Sequence, residues 1–327
     1  MLEQEKGCAI EPYYYGAIGS FGTTGDATAT ASSRKYIVIQ SLWTKPIIEQ
    51  VDSSVGYGSI TSTDKHQRLR DTLYLAALSL AYAHRSGYKV YMHTDSYGAK
   101  LLENYGYDKL LTTLDAIPES VPSELFAAGK FFAMRKEGRV GKVHIDIDVF
   151  LKKPGVIDRF YEDKSIDVLC QQEEDYERLC FHEDKIRAMH ALGYPSATFP
   201  EWRGSMNTGT IGFNNPSLAA EYFDNYFEAL NFYTKERFEA YRKKHKKDCL
   251  LFDFILEQVN LSYMSRGYNV VTLVPMHNPN AVADEIGYQH LQGGNKWSDK
   301  SRQKIKSKLS SVNRVLYTAA RNAERKL

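Results

Sequence analysis

The sequence predicts a single α/β domain, with a mixed, mostly parallel sheet flanked by helices. Three observations carry this. Short β-branched runs alternate with helical stretches from residue 35 onward. Several of those runs end in acidic residues, at Asp95 and at Asp146 and Asp148, where ligands of parallel sheets gather at the strands' carboxyl ends. No internal repeat and no linker interrupts residues 35–297.

The elements follow in order. KYIVIQSLWTKP opens with a buried strand over 35–40 and runs into a loop holding Trp43 and Pro46. A helix is expected near 63–86, with Thr63 or Asp64 as cap and Gly87 as stop. YKVYMHTD (88–95) is the second strand. A helix near 97–104, a short strand near 109–113 and a helix near 123–136 come next. VHIDIDVFLKKP (143–154) is the strand of the paired aspartates, which alternation would place on one face. SIDVLCQQ (165–172) reads as a strand and 173–192 as a polar helical stretch. NTGTIGFNN (207–215) reads as a strand entered through a tight Asn-Thr-Gly turn. Two long helices over 217–245 and 248–266 are separated by RKKHKK, a solvated junction. NVVTLVP (269–275) is the last strand, and 278–297 is a Gly- and Asn-rich loop. Residues 1–34 read as a flexible leader: glycines recur at 16, 19, 22 and 25, but no Gly-Lys-Ser/Thr ending marks a P-loop.

The chain has 327 residues, 43% hydrophobic and 25% charged, enough for one large core. Its 42 basic and 40 acidic residues leave a net charge of +2, which argues against a surface built for nucleic acid. Cys8, Cys170, Cys180 and Cys249 show no CxxC spacing, so they read as reduced thiols rather than a disulfide frame or zinc site. The N-terminus is too polar for a signal peptide, and LYLAALSLAYA (73–83) is too short for a membrane span. A cytoplasmic protein is expected. The 23 tyrosines suit carbohydrate and nucleobase contacts or a core.

Asp-x-Asp after an apolar strand sets two hard oxygen donors at a sheet's edge, suited to Mg²⁺ or Mn²⁺ held jointly with a diphosphate. A phosphatase reading would want the motif on the first strand and Thr two residues on; here position 150 is Phe. The second piece is GYQHLQGGNKW (287–297): His290 offers an imidazole, Gly293 and Gly294 let backbone approach phosphate, and Lys296 adds positive charge. Taken alone, His290 could be an ordinary surface histidine.

Asp-Ile-Asp-Val, Asn-Thr-Gly and His-Leu-x-Gly-Gly-x-Lys-Trp, in that order, resemble the anchors of GT-A-type, Rossmann-like glycosyltransferases. The ending is similar to the His-x-x-Gly-x-x-Lys-Pro-Trp signature of glycosyltransferase family 8 and its relatives. It departs in one place, since Asn295 precedes Lys296 and no Pro separates Lys296 from Trp297. The resemblance spans residues 35–297. It implies a metal-dependent transferase, of hexosyltransferase type, using a nucleotide-sugar donor, expected to be a UDP-sugar, and a saccharide or lipid-linked glycan acceptor. Asp146, Asp148 and His290 would be the metal ligands, with Mn²⁺ or Mg²⁺ as cofactor. Gly293 and Lys296 would hold the diphosphate. Lys130, Asn207, Thr208, Asp146 and Asp95 would contact the donor, with Ser41 and Trp43 near its nucleotide; Trp43 reads equally as a core aromatic.

For catalysis the resemblance points to Glu257 and Gln258, with Asp253 one helical turn earlier. Glu257 would orient the acceptor hydroxyl or act as base in an inverting enzyme, whereas Gln258 would stabilise the anomeric centre in a retaining one. Both also read as an exposed helical pair. Two alternatives are a non-catalytic nucleotide-sugar-binding protein of the same fold and a nucleotidyltransferase, for which IVIQSLWTKP lacks the Gly-rich, basic first loop. Residues 298–327 read as one basic amphipathic helix, with Ile305, Leu309, Val312 and Leu316 as its stripe. That stripe would lie on an anionic membrane, peripherally on its cytoplasmic face, or pack on the domain.

Overall fold

The computed structural model describes residues 35–49, 65–174, 204–245, 252–277, 279–291 and 294–327. The expected leader (1–34), most of the polar helical stretch (175–192), Thr63, Asp64 and Gly293 lie outside them.

Seven strands form the main sheet, in the order β3-β2-β1-β4-β7-β6-β8. They are β1 (Tyr36–Leu42), β2 (Tyr88–Thr94), β3 (Lys109–Leu111), β4 (Val143–Ile145), β6 (Val168–Glu174), β7 (Ser205–Phe213) and β8 (Val270–Thr272). Strands β1 to β4 are mutually parallel, β7 runs antiparallel to both β4 and β6, and β8 is parallel to β6. β5 (Val149–Leu151) and β9 (Tyr288–His290) form a separate antiparallel pair.

Alternation sends neighbouring side chains of each strand to opposite faces. Val38 and Val90 enter one core, with α2 (Lys65–Arg85), α10 (Asp299–Val312) and α11 (Arg314–Glu324). Ile39, Ile211 and Phe213 enter the other, under α4 (Ala128–Lys136), α6 (Pro216–Phe232) and α8. Here α8 is composite: an α-helical turn, Phe252–Phe254, a π-helical turn, Ile255–Val259, and an α-helical end, Asn260–Met264. The remaining helices are α1 (Thr44–Glu49), α3 (Ser96–Leu102), α5 (Asp158–Glu162), α7 (Lys235–His245) and α9 (Pro279–Ile286).

Five expectations are corrected. The paired aspartates do not share a strand face: β4 ends at Ile145, and Asp146–Asp148 form the turn into β5, closed by Val149 N–H donating to the Asp146 carbonyl at 3.0 Å. The Asn-Thr-Gly segment is no entrance turn but lies inside β7. The long 217–245 helix breaks between α6 and α7, and α4 begins at Ala128 rather than near 123. The loop expected over 278–297 holds α9, β9 and a 3₁₀ turn, Gly294–Trp297. Pro279 starts α9 and Gly287, at φ +77°, stops it; β9, Tyr-Gln-His, has no aliphatic run to reveal it.

The C-terminal helix is also two helices. Asn313 breaks it at φ −154° and caps α11 by accepting from Leu316 N–H at 3.0 Å. Its apolar stripe turns inward: Ile305, Leu309 and Leu316 are buried in the first core and Val312 packs against it. Of the two alternatives for this stripe, the structure shows the second: it packs on the domain. Among the described residues, no helix is long and apolar enough to cross a membrane.

Candidate active site

β4 delivers the site. Its chain leaves the main sheet at Asp146 and turns into β5, and β5 pairs with β9 in the register Val149↔His290. Leu291 N–H donates to the Asp148 carbonyl at 3.0 Å. This small sheet brings a histidine from far downstream in the chain onto the aspartates. Ligand atoms of Asp146, Asp148 and His290 lie within 4.8 Å of one another.

The neighbouring strand is irregular where it meets this turn. Between β6 and β7 the pairing steps from Cys170↔Ile211 to Gln172↔Asn207, so Thr208, Gly209 and Thr210 together stand opposite Gln171. Such a bulge frees backbone groups from the ladder. The Thr208 carbonyl accepts from Lys130 Nζ at 2.8 Å, and the Gly209 carbonyl accepts from Asp146 N–H at 2.8 Å. Gly209 is needed for closeness: a Cβ there would stand 2.5 Å from His290 Cε1 and 2.7 Å from Gln171 Oε1.

Two lysines serve three carboxylates. Lys130, from α4, lies 3.1 Å from Asp146 Oδ1 and 2.5 Å from Glu257 Oε1. Lys296 contacts Asp148, and His290 Nε2 stands 3.3 Å from Asp148 Oδ1. Burial tends to lower the Lys130 pKa, but Asp146 and Glu257 outweigh it and hold the ammonium charged. Burial raises the Asp146 carboxyl, with Lys130 opposing and Asp148 adding to the rise. Burial would also raise Asp148, yet Lys296 and His290 overcome it and keep that carboxyl ionised. The cluster thus carries one more carboxylate than lysine, with two carboxylate groups and one imidazole converging. That donor set, short of positive charge, fits a hard divalent cation.

The other expected residues separate into those at the cluster and those that are not. Thr208 belongs to it through Lys130. Asn207 is buried beside it, its Nδ2 donating to Glu174 at 2.8 Å and its Oδ1 accepting from Gly209 N–H at 3.0 Å. Glu257 and Gln258 are buried on the π-helical turn of α8, not exposed on an ordinary helix. That turn, a geometry common at functional sites, sets Glu257 against Lys130. Ser41 reaches the cluster indirectly: its Oγ is 2.9 Å from His144 Nε2, and His144 Nδ1 is 3.7 Å from Asp146 Oδ1.

Three residues have their polar groups committed elsewhere or pack in the core. Asp253 is fully buried and accepts from Ala127 N–H and Tyr226 Oη, both at 2.5 Å, so it caps α4 from a distance. Burial pushes its carboxyl up to about 8, with Glu257 adding to the rise. Asp95 caps α3, accepting from Gly98 N–H at 2.7 Å and from Thr44 N–H and Oγ1 at 2.7 Å each. Trp43 is a core aromatic, 8% exposed.

Residues 36–318 match the model of DUF6734, a family of unknown function. The chain belongs to that family. No curated protein matches it. Solved structures similar to this DUF6734 chain include glycosyltransferases. Mouse xyloside xylosyltransferase 1 is 13% identical, with 73% of this chain and 85% of that one covered at a TM-score of 0.35. Streptococcus pneumoniae GlyE is 12% identical, covering 89% and 64% at 0.42. The galactosyltransferase LgtC, in complex with donor and acceptor sugar analogs, is 9% identical, covering 85% and 96% at 0.37.

Sequence reading missed His144, Gln171, Glu174 and Tyr288. Signals for two of them existed. His144 lies two residues before Asp146, at the end of the same apolar run, and Gln171 is a polar residue closing an otherwise apolar run.

Proposed function

We propose that this protein is a metal-dependent glycosyltransferase that moves a sugar from a nucleotide-sugar, a UDP-sugar, to a saccharide or lipid-linked glycan acceptor. The observation that carries the reading is the convergence of Asp146, Asp148 and His290 beside Lys130 and Lys296. The order of the three sequence anchors agrees with it.

A divalent cation held by Asp146, Asp148 and His290 would supply positive charge for the diphosphate leaving group. The chain's own groups then divide the remaining work. Lys296, on the 3₁₀ turn after β9, neutralises diphosphate oxygens as the sugar–phosphate bond breaks. Lys130 is fixed by Glu257 and the Thr208 carbonyl, so its ammonium is preorganised beside Asp146, where the donor's sugar would meet it. Asn207, oriented by Glu174, offers its amide to the sugar hydroxyls. Gln258 lies next to Glu257 on the same π-helical turn, facing the anomeric side in this reading.

The test is calorimetric titration of nucleotide-sugars with Mn²⁺, followed by assay of UDP release with candidate saccharide acceptors. Metal-dependent binding of one UDP-sugar with UDP release supports the proposal. Binding of UDP and Mn²⁺ with no release from any donor and acceptor pair would make the protein a nucleotide-sugar-binding protein. Absence of metal-dependent nucleotide binding would overturn the reading.

A further inference from the structure

His290 is aimed by hydrogen bonds from a strand on which it does not sit. On β9, Tyr288 and His290 are two residues apart and project to one face, toward β6 and β7. There the Oε1 of Gln171, a residue 2% exposed, accepts two hydrogen bonds. His290 Nδ1 lies 2.7 Å from it, and Tyr288 Oη donates to it at 2.8 Å. Tyr288 Oη is also 3.0 Å from Thr210 Oγ1, which completes a buried chain across the bulge. Gly209 leaves room for both the imidazole and the carboxamide.

The chemistry of that contact has one consequence. A carboxamide oxygen accepts only, so the Nδ1 facing it carries the proton. A neutral imidazole with its proton on Nδ1 has its lone pair on Nε2, and Nε2 faces Asp148 Oδ1 at 3.3 Å. A lone pair aimed at a carboxylate is repulsive unless a proton or a metal cation stands between them. Gln171 thus leaves Nε2, and not Nδ1, as the nitrogen that can share a cation with Asp148, the metal taking the place of a proton there.

We infer that Gln171 is a positioning residue: it sets the tautomer and ring orientation of His290 and so presents Nε2 to the divalent cation. The inference rests on the metal reading above and assigns to it a residue outside the Asp-x-Asp and His-x-x-Gly anchors. Partners that orient a ligating histidine in this way contribute about 10- to 100-fold in metal affinity.

Three forms of the full chain test it. Mn²⁺ affinity is read by electron paramagnetic resonance of free Mn²⁺, and the His290 tautomer by ¹⁵N NMR of histidine-labelled protein with Mg²⁺. Wild type should show its proton on Nδ1. Gln171→Leu, which removes the acceptor, should bind Mn²⁺ about 10- to 100-fold more weakly. Gln171→Glu, which keeps an acceptor oxygen, should restore most of that loss, a rescue that packing alone would not produce. Equal Mn²⁺ affinity in wild type and Gln171→Leu would overturn the inference while leaving the metal site standing. A proton on Nε2 of His290 in wild type would overturn it without any variant, even where Gln171→Leu does not fold. Failure of wild type itself to bind Mn²⁺ would overturn the metal reading and this inference together.

Discussion

Two buried ion-pair regions in this protein look alike and behave differently. At the C-terminal helices, Arg302 of α10 grips Asp71 of α2 in a fork, Nε to Oδ1 at 2.6 Å and Nη2 to Oδ2 at 2.9 Å, with Asp71 only 3% exposed. The planar cation meets this buried carboxylate in matched geometry, while its Nη1 also contacts the exposed Asp299. At the β4–β5 turn, Lys130 and Lys296 are divided among Asp146, Asp148 and Glu257. His144 Nδ1 is buried there without a hydrogen-bond partner among the described residues. The first region is satisfied and holds helices together. In the second, two carboxylates and an imidazole converge on one point and two lysines are divided among three carboxylates, as in a site that receives a cation.

That contrast can be broken by removing one carboxylate from each region. Asp148→Asn should abolish Mn²⁺-dependent binding of UDP and reduce UDP release by roughly 10³-fold, since a lost cation forfeits several kcal/mol of transition-state stabilisation. Its urea midpoint should move little. Calorimetry with Mn²⁺ and UDP checks the first part, and unchanged UDP affinity would defeat the metal assignment. Asp71→Ala should do the reverse. It leaves Arg302 without its buried partner and should cost about 3–5 kcal/mol of stability, read by urea unfolding. Its Mn²⁺ affinity under folding conditions should equal that of wild type.

The same contrast explains what the sequence could disclose. The strands of the main sheet are long or apolar enough to read from periodicity, and β1, β2, β6 and β7 lie within a few residues of expectation. The Asp-x-Asp pair and His290 were legible because their residue types and order are specific. β9 was not legible, because its residues, Tyr-Gln-His, lack the aliphatic run that marks the equally short β4 and β8, and so the element that delivers His290 read as loop. The Asn-Thr-Gly segment misled for a physical reason: glycine there serves close approach of His290 rather than a turn. Likewise α8 reads as an ordinary helix, since nothing local marks the π-helical turn that sets Glu257 inward against Lys130. The amphipathic C-terminal pattern was correct, but amphipathicity does not say what covers the apolar face. Only the tertiary structure shows α2 doing so.

Gly209 sharpens the comparison within the second region, because it carries no charge at all. Gly209→Ala would drive a methyl group into His290 and Gln171, so the contact between the imidazole and the carboxamide cannot keep its present geometry. A displaced ligand should weaken Mn²⁺ binding about 10- to 100-fold, as loss of an orienting partner does. Retained Mn²⁺ affinity in a folded Gly209→Ala protein would mean that His290 is not held where the cation binds. The melting temperature should change far less than for Asp71→Ala.

The smallest effect concerns a second buried histidine and depends on pH. His93, on β2, is fully buried, with Nδ1 2.9 Å from Thr113 Oγ1 and Nε2 3.5 Å from Glu137. Burial pushes its imidazole down to about 4; nearby lysines add to this, and Glu137 opposes it. The sign follows from linkage. The unfolded chain takes up the proton first, so the stability supplied by neutral His93 is present above the ordinary histidine value and is lost as pH falls through about 4. Between pH 7 and 5 that loss should be about 2 kcal/mol, because each tenfold difference in proton affinity between the folded and unfolded chain is worth about 1.4 kcal/mol. His93→Gln, which keeps a polar group facing Thr113 but cannot titrate, should lower stability at neutral pH and flatten its decline over that range. Urea midpoints of both proteins at pH 7, 6 and 5 check this. Parallel declines would show that acid sensitivity lies elsewhere, and a steeper decline in His93→Gln would reverse the assignment.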